Sequence, residues 1–121
     1  VFDGPEPIYL QIAEQLRQQV LDGTLKSGDQ VMSTTQYATT YRINPATAAK
    51  GFAELVDEGV IYKQRGVGMF VADGAAERLR EERRRAFFTE QLDPVLREAQ
   101  LLGISTDDVL THIRSTKGTP S

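Results

Sequence analysis

No cysteine and no tryptophan occur among the 121 residues, and histidine occurs once. Without thiols there can be no disulfide framework, no thiol redox chemistry and no thiolate metal site. The single histidine, His112, has no second nitrogen or sulfur donor to share a metal ion with, and carboxylates alone make a poor transition-metal site. It reads as a surface or interface residue, and no metal or other cofactor is implied. No apolar run approaches the roughly 20 residues that cross a bilayer. Nor does the chain open on a basic stretch followed by an apolar one, so export is not signalled and the cytoplasm is the expected setting. Catalytic signatures are missing as well: there is no Gly-x-Ser-x-Gly elbow, no P-loop and no His-Glu-x-x-His pair. Gly66-Val67-Gly68 leads into strand-forming residues, not into a helix, so it is a turn and not a dinucleotide fingerprint. An enzyme is not expected.

The net charge of −3 is small, and its distribution says more than its sum. Residues 1–32 carry two basic and five acidic side chains, and residues 73–121 are near balance with eight against nine. The middle stretch, 33–72, holds four basic residues (Arg42, Lys50, Lys63, Arg65) and three acidic ones (Glu54, Asp57, Glu58). Those three acids fall late in one predicted helix, which leaves the rest of the stretch locally basic.

Periodicity and punctuation divide the chain cleanly. Ile8, Ile12, Leu16 and Val20 recur every fourth residue behind Pro7, an apolar stripe that predicts a helix closed by Gly23. Thr24–Gln30 contains Ser27-Gly28-Asp29 and reads as a loop. Ser33 suits the N-cap of a short helix over Thr34–Tyr41, with Tyr37 and Ala38 inward. Arg42-Ile43 makes a turn, and Asn44-Pro45 opens a second helix to about Glu58, stopped by Gly59. At about 100° per residue, Ala48, Phe52, Leu55 and Val56 share one side of that helix, while Ala46, Lys50, Ala53 and Asp57 share the other. Two β-rich runs, 60–63 and 69–71, flank Gln64-Arg65-Gly66-Val67-Gly68 and predict a hairpin. Helix, turn, helix and hairpin in this order are the layout of a winged helix-turn-helix. The predicted fold is therefore mainly α with a small β-hairpin, the winged helix taking residues 5–72.

Beyond Gly74 the composition shifts to Ala, Glu, Arg and Leu, which favour long helices. Pro94 predicts a kink or break near 90–93, and Gly103 a stop. Ser105 with Asp108 resembles a capping box that opens a last helix to about Arg114, giving a two-helix segment over 75–114 and a polar, disordered tail over 115–121. Leu79, Phe87, Phe88, Leu92, Val95, Leu96, Ala99, Leu102, Val109 and Ile113 supply more apolar surface than a chain of this size leaves in water. Pairing with a second copy is the expected way to cover it. The arginines at 78, 80, 83, 84 and 85 alternate with glutamates and read as a solvated face with i,i+4 pairs such as Glu81–Arg85.

From Pro7 to Val71 the chain resembles the DNA-binding domain of the GntR superfamily of bacterial transcription regulators. The resemblance rests on PIYLQI at 7–12, LDGTLKSGDQ at 21–30 and GVGMFV at 66–71. Residues 43–63, INPATAAKGFAELVDEGVIYK, resemble the YtrA-like subfamily, whose members carry a short two-helix segment after the winged helix. What this implies is a homodimeric regulator, most simply a repressor, that binds double-stranded DNA at an inverted-repeat operator. The resemblance places Ser33 and Thr35 against the DNA backbone, with Asn44, Pro45, Ala46, Thr47 and Lys50 at the start of the recognition helix. Arg65, Gly66 and Gly68 would form the wing tip. One departure stands out: the family's usual Leu-Pro-Ser-x-Arg is Val31-Met32-Ser33-Thr34-Thr35 here, and Arg42 is the candidate to compensate for the missing arginine. A small-molecule effector, if one is sensed, would lie at an interface, because the C-terminal helices are too short to enclose it within one chain. Two other readings stay open at this level: a winged helix used only for protein contacts, and the DNA-binding part of a longer regulator.

Overall fold

The computed structural model describes residues 2–116. The chain forms two compact units, 1–81 and 82–121. The first contains α1 (Ile8–Leu21), β1 (Gln30–Val31), α2 (Thr34–Tyr41), α3 (Pro45–Asp57), β2 (Ile61–Gln64), β3 (Gly68–Val71) and the first turns of α4 (Ala75–Ala86). This is a winged helix-turn-helix.

Its core is a single apolar cluster to which every one of these elements contributes. Phe52, Ile12, Leu55 and Val71 are its largest fully buried side chains, and burying each contributes roughly 1.5–3 kcal/mol relative to leaving it in water. Tyr37 of α2 meets Phe52 of α3 edge to face at 5.4 Å, so the two helices of the motif lock through aromatic geometry as well as area. Burial pushes the Tyr37 phenol above its ordinary range, and its hydroxyl donates to the Gln15 side chain of α1. Helices α1 and α3 are in close contact at Gly51. A Cβ there would stand 2.9 Å from the Tyr9 carbonyl oxygen and 3.0 Å from Ile12 Cγ2.

Two predicted core positions moved to the rim. Val56 is 40% exposed and Ile8 42%. The buried arc of α3 runs through Ala48, Phe52, Leu55 and Gly51. It turns toward α1 at Gly51, which leaves Val56 about a quarter-turn from its centre. Pro7 is the cap of α1, which begins at Ile8.

The sheet has three antiparallel strands in the order β1-β3-β2. The loop predicted up to Gln30 thus ends in a strand, with Gln30 opposite Phe70 and Val31 opposite Met69. Strand β2 pairs Ile61 with Val71, Tyr62 with Phe70, Lys63 with Met69 and Gln64 with Gly68. Period-two alternation turns Val31, Ile61 and Val71 to the core and leaves Tyr62 and Phe70 stacked on the other face, 5.8 Å apart.

Within the first unit, α4 completes the core. Ala75 and Leu79 are buried there, so Leu79, grouped by its spacing with the dimerisation stripe, belongs to the winged-helix core. This is also why the first unit extends to residue 81 and not to 72. Arg78 clamps the same region, donating to the Asp73 carbonyl at 2.9 Å and the Gly59 carbonyl at 2.6 Å.

The second unit contains a π-helical turn at Phe87–Leu92, then α5 (Asp93–Leu101) and α6 (Thr106–Ser115). The predicted break near Pro94 takes the form of that wide turn: the Asp93 N–H reaches the Phe88 carbonyl, five residues back. Proline offers no N–H and crowds the carbonyl four residues before it, and widening the helix relieves both problems without ending it. Ser105 caps α6 by accepting from the Asp108 N–H at 3.0 Å. Helix α6 includes Ser115, one residue into the predicted tail; residues 117–121 of that tail lie outside the described residues. No described side chain of this unit is fully buried.

Candidate nucleic-acid interface

The helix-turn-helix is set by two local caps and one strained residue. Ser33 Oγ accepts from the Gln36 N–H at 3.1 Å and holds the first turn of α2. Asn44 Oδ1 accepts from the Ala46 N–H at 2.8 Å, with Pro45 following at the first helical position of α3. Between the helices, Arg42 has φ of 55° and is the only described non-glycine residue with positive φ. The Ile43 N–H reaches back to the Ala38 carbonyl at 2.9 Å, which closes α2 in a left-handed cap where glycine is the usual occupant.

Helix α3 buries one side and presents the other. Ala46, Ala49, Lys50 and Ala53 are exposed, and Thr47 is half-buried at the edge of the face. Small side chains at the N-terminal half allow a backbone to come near a groove floor, where base edges carry a distinct donor and acceptor pattern. Lys50 is the one cation on this helix, and its ammonium lies 4.2 Å from the centre of the Tyr9 ring of α1. At the far end, Glu58 receives Arg17 in a two-pronged ion pair, with Arg17 Nε at 2.8 Å from Oε1. That pairing offsets one of the acids that would otherwise oppose a phosphate backbone, and Glu58 in turn raises the pKa of the Arg17 guanidinium.

The wing tip comprises Arg65, Gly66 and Val67, all exposed. The Val67 N–H closes the turn on the Gln64 carbonyl at 3.0 Å, with Gly66 at φ of 77°. Gln30 of β1 braces this loop from the side. An open groove of ≈ 630 Å3 separates the wing from the start of α2, lined by Gln30, Ser33, Gln36, Lys63 and Met69 among others.

The predicted site residues therefore fall in three places. Ser33 and Thr35 lie on the first turn of α2, and Asn44, Pro45, Ala46, Thr47 and Lys50 on the start of α3. Arg65, Gly66 and Gly68 make the wing. Arg42 stands at the other end of α2 from Thr35, about 10 Å along the axis at 1.5 Å per residue. It does not occupy the place of the missing arginine. Two side chains escaped the sequence reading: Tyr9 beneath Lys50 and Gln30 beside the wing. Spacing along the chain gives no signal for either, because each acquires its position only through packing between distant segments.

The winged helix, its exposed α3 face and its braced hairpin find their match in known proteins. Residues 8–71 match the family described as bacterial regulatory proteins, gntR family. The chain belongs to the GntR family. It is thus a transcription regulator with a DNA-binding winged helix-turn-helix, and not an enzyme. The likeness runs beyond the winged helix. The HTH-type transcriptional repressor YtrA of Bacillus subtilis (strain 168) is 34% identical over 108 residues, which span 89% of this chain and 82% of that one. A transcriptional regulator from Oenococcus oeni shares 25% identity at a TM-score of 0.81, covering 98% of this chain and 97% of its own. The DNA-binding domain of AraR, solved in complex with operator ORX1, matches 60% of this chain and 93% of its own at 25% identity and a TM-score of 0.55. The YtrA-like resemblance carried by residues 43–63 thus agrees with a relative that also spans the C-terminal helices. None of the described helices is long and apolar enough to cross a membrane.

Proposed function

We propose that this regulator is a cytoplasmic homodimeric repressor that reads an inverted-repeat operator, with α3 in the major groove and the wing beside it. The observation that carries the reading is the division of α3. One side is locked into the core through Ala48, Phe52 and Leu55, while the other offers small residues and one cation to solvent. Ser33, Thr35, Arg42 and Asn44 would contact the DNA backbone around it, and Arg65 would extend the contact at the wing.

Dimerisation is favoured by the second unit. Phe87, Phe88, Val95, Leu96, Leu102 and Ile113 are exposed, and Leu92, Ala99 and Val109 are only half-buried. Leu101 is 87% exposed. Helices with this much uncovered apolar surface gain most by packing on a second copy. Repression then follows from occupancy of a promoter, in keeping with the repressor name of the YtrA relative. Between α5 and α6 lies an open apolar groove of ≈ 440 Å3 lined by Val95, Ala99, Leu102, Ile104 and Val109 among others. It supports the notion of an effector seated where two copies meet.

The test is selection of duplex DNA from random sequence by the full chain. Enrichment of an inverted repeat, bound with an affinity that falls steeply as salt rises, is the expected result. No enrichment at low salt would refute the reading.

A further inference from the structure

We infer that Tyr9 is a positioning residue of the DNA-contacting face, holding the Lys50 ammonium where it can reach a phosphate. The inference rests on the reading that the outer face of α3 meets DNA, and adds a residue from α1 to it. Three observations meet at this point. Lys50 is the one cation on α3 and its side chain is exposed. Its ammonium stands over the Tyr9 ring, 4.2 Å from the centroid. The ring is there because α1 and α3 touch at the adjacent residue: Gly51 leaves no room for a Cβ, with the Tyr9 carbonyl 2.9 Å from where that atom would be.

An unconstrained lysine on a helix surface spreads over many rotamers, and that freedom is lost when it binds. A ring face attracts the ammonium without consuming all of its three N–H donors, so the held cation can still serve a phosphate oxygen. Tyr9 therefore reduces the ordering that DNA binding would require of Lys50. The contact is electrostatic and belongs to the ring face, so the phenol hydroxyl is dispensable.

The experiment measures affinity for the duplex selected from random sequence, across a salt series, with the full chain and four variants. Lys50→Ala should lower the slope of log affinity against log salt by about one, the mark of a lost phosphate contact. Tyr9→Leu should weaken binding about two- to fivefold, the range expected for one exposed cation–π contact. Tyr9→Phe should restore wild-type binding, and Tyr9→Leu combined with Lys50→Ala should bind no worse than Lys50→Ala alone. In the free protein, the Lys50 ε-proton resonances should be shifted upfield by the ring current in wild type and Tyr9→Phe, and not in Tyr9→Leu. Wild-type or tighter binding by Tyr9→Leu, or a loss that adds in full to that of Lys50→Ala, would overturn the proposal. Should Tyr9→Leu fail to fold, unshifted Lys50 resonances in the wild type would overturn it. If Lys50→Ala itself binds like wild type, the assignment of the α3 face falls and the proposal falls with it.

Discussion

Gln30 and Val67, thirty-seven residues apart in sequence, are joined by a hydrogen bond of 3.2 Å from the Gln30 side-chain amide to the Val67 carbonyl. The bond ties the two-residue strand β1 to the tip of the wing. It passes over Gly68, where φ is 143° and a Cβ would lie 2.5 Å from Gln30 Nε2. Gly68→Ala should therefore both strain the backbone and displace the brace, at a cost of about 1–2 kcal/mol. Chemical denaturation checks the stability. A DNA affinity that drops further than in Gln30→Ala would locate the effect in the wing.

Arg42 offers the opposite trade. A non-glycine residue in the left-handed region costs about 1–2 kcal/mol, partly recovered because glycine is freer in the unfolded chain. Arg42→Gly should raise stability by a few tenths to about 1 kcal/mol while weakening DNA binding. Improved stability with unchanged affinity would remove Arg42 from the interface.

Gly51 sets two effects against each other. Replacing glycine by alanine inside a helix ordinarily gains about 1 kcal/mol. Here the new methyl would meet the Tyr9 backbone carbonyl, which cannot swing away, and overpacking of this kind costs about 1–3 kcal/mol. The clash should win, so Gly51→Ala is expected to lower the urea midpoint. A raised midpoint would mean that α1 moves freely against α3.

How far this was legible in the sequence depends on the range of the interaction. Ser33, Asn44-Pro45 and Ser105 announce helix starts through bonds made within three residues, and all three helices begin where those caps predict. Pro94 announced a disturbance, but its form as a π-helical turn depends on which carbonyl Asp93 can reach. Strand β1 was hidden because two residues carry no periodicity and form a strand only against β3. Leu79 was misplaced for a similar reason. Its spacing continues the C-terminal stripe, and only the fold shows that its side chain faces the winged-helix core. At the candidate site, the caps and the exposed face of α3 could be read in advance, whereas Tyr9 and Gln30 act across 41 and 37 residues.

The second unit makes its own prediction. Val95 and Ile113 line the apolar groove between α5 and α6 and are mostly exposed. Val95→Asp with Ile113→Asp should halve the mass seen by light scattering, from two chains to one. The winged helix should still melt cooperatively, since neither residue contributes to its core. A dimer that survives both charges would place the interface elsewhere.

The central claim is that two copies of α3 read two half-sites in fixed register, and helical phase tests it most directly. The selected duplex is compared with one carrying about five extra base pairs between its half-sites, which turns one half-site to the far side of the helix. Affinity for the altered duplex should fall to that of a single half-site. Equal affinity for both would contradict the account.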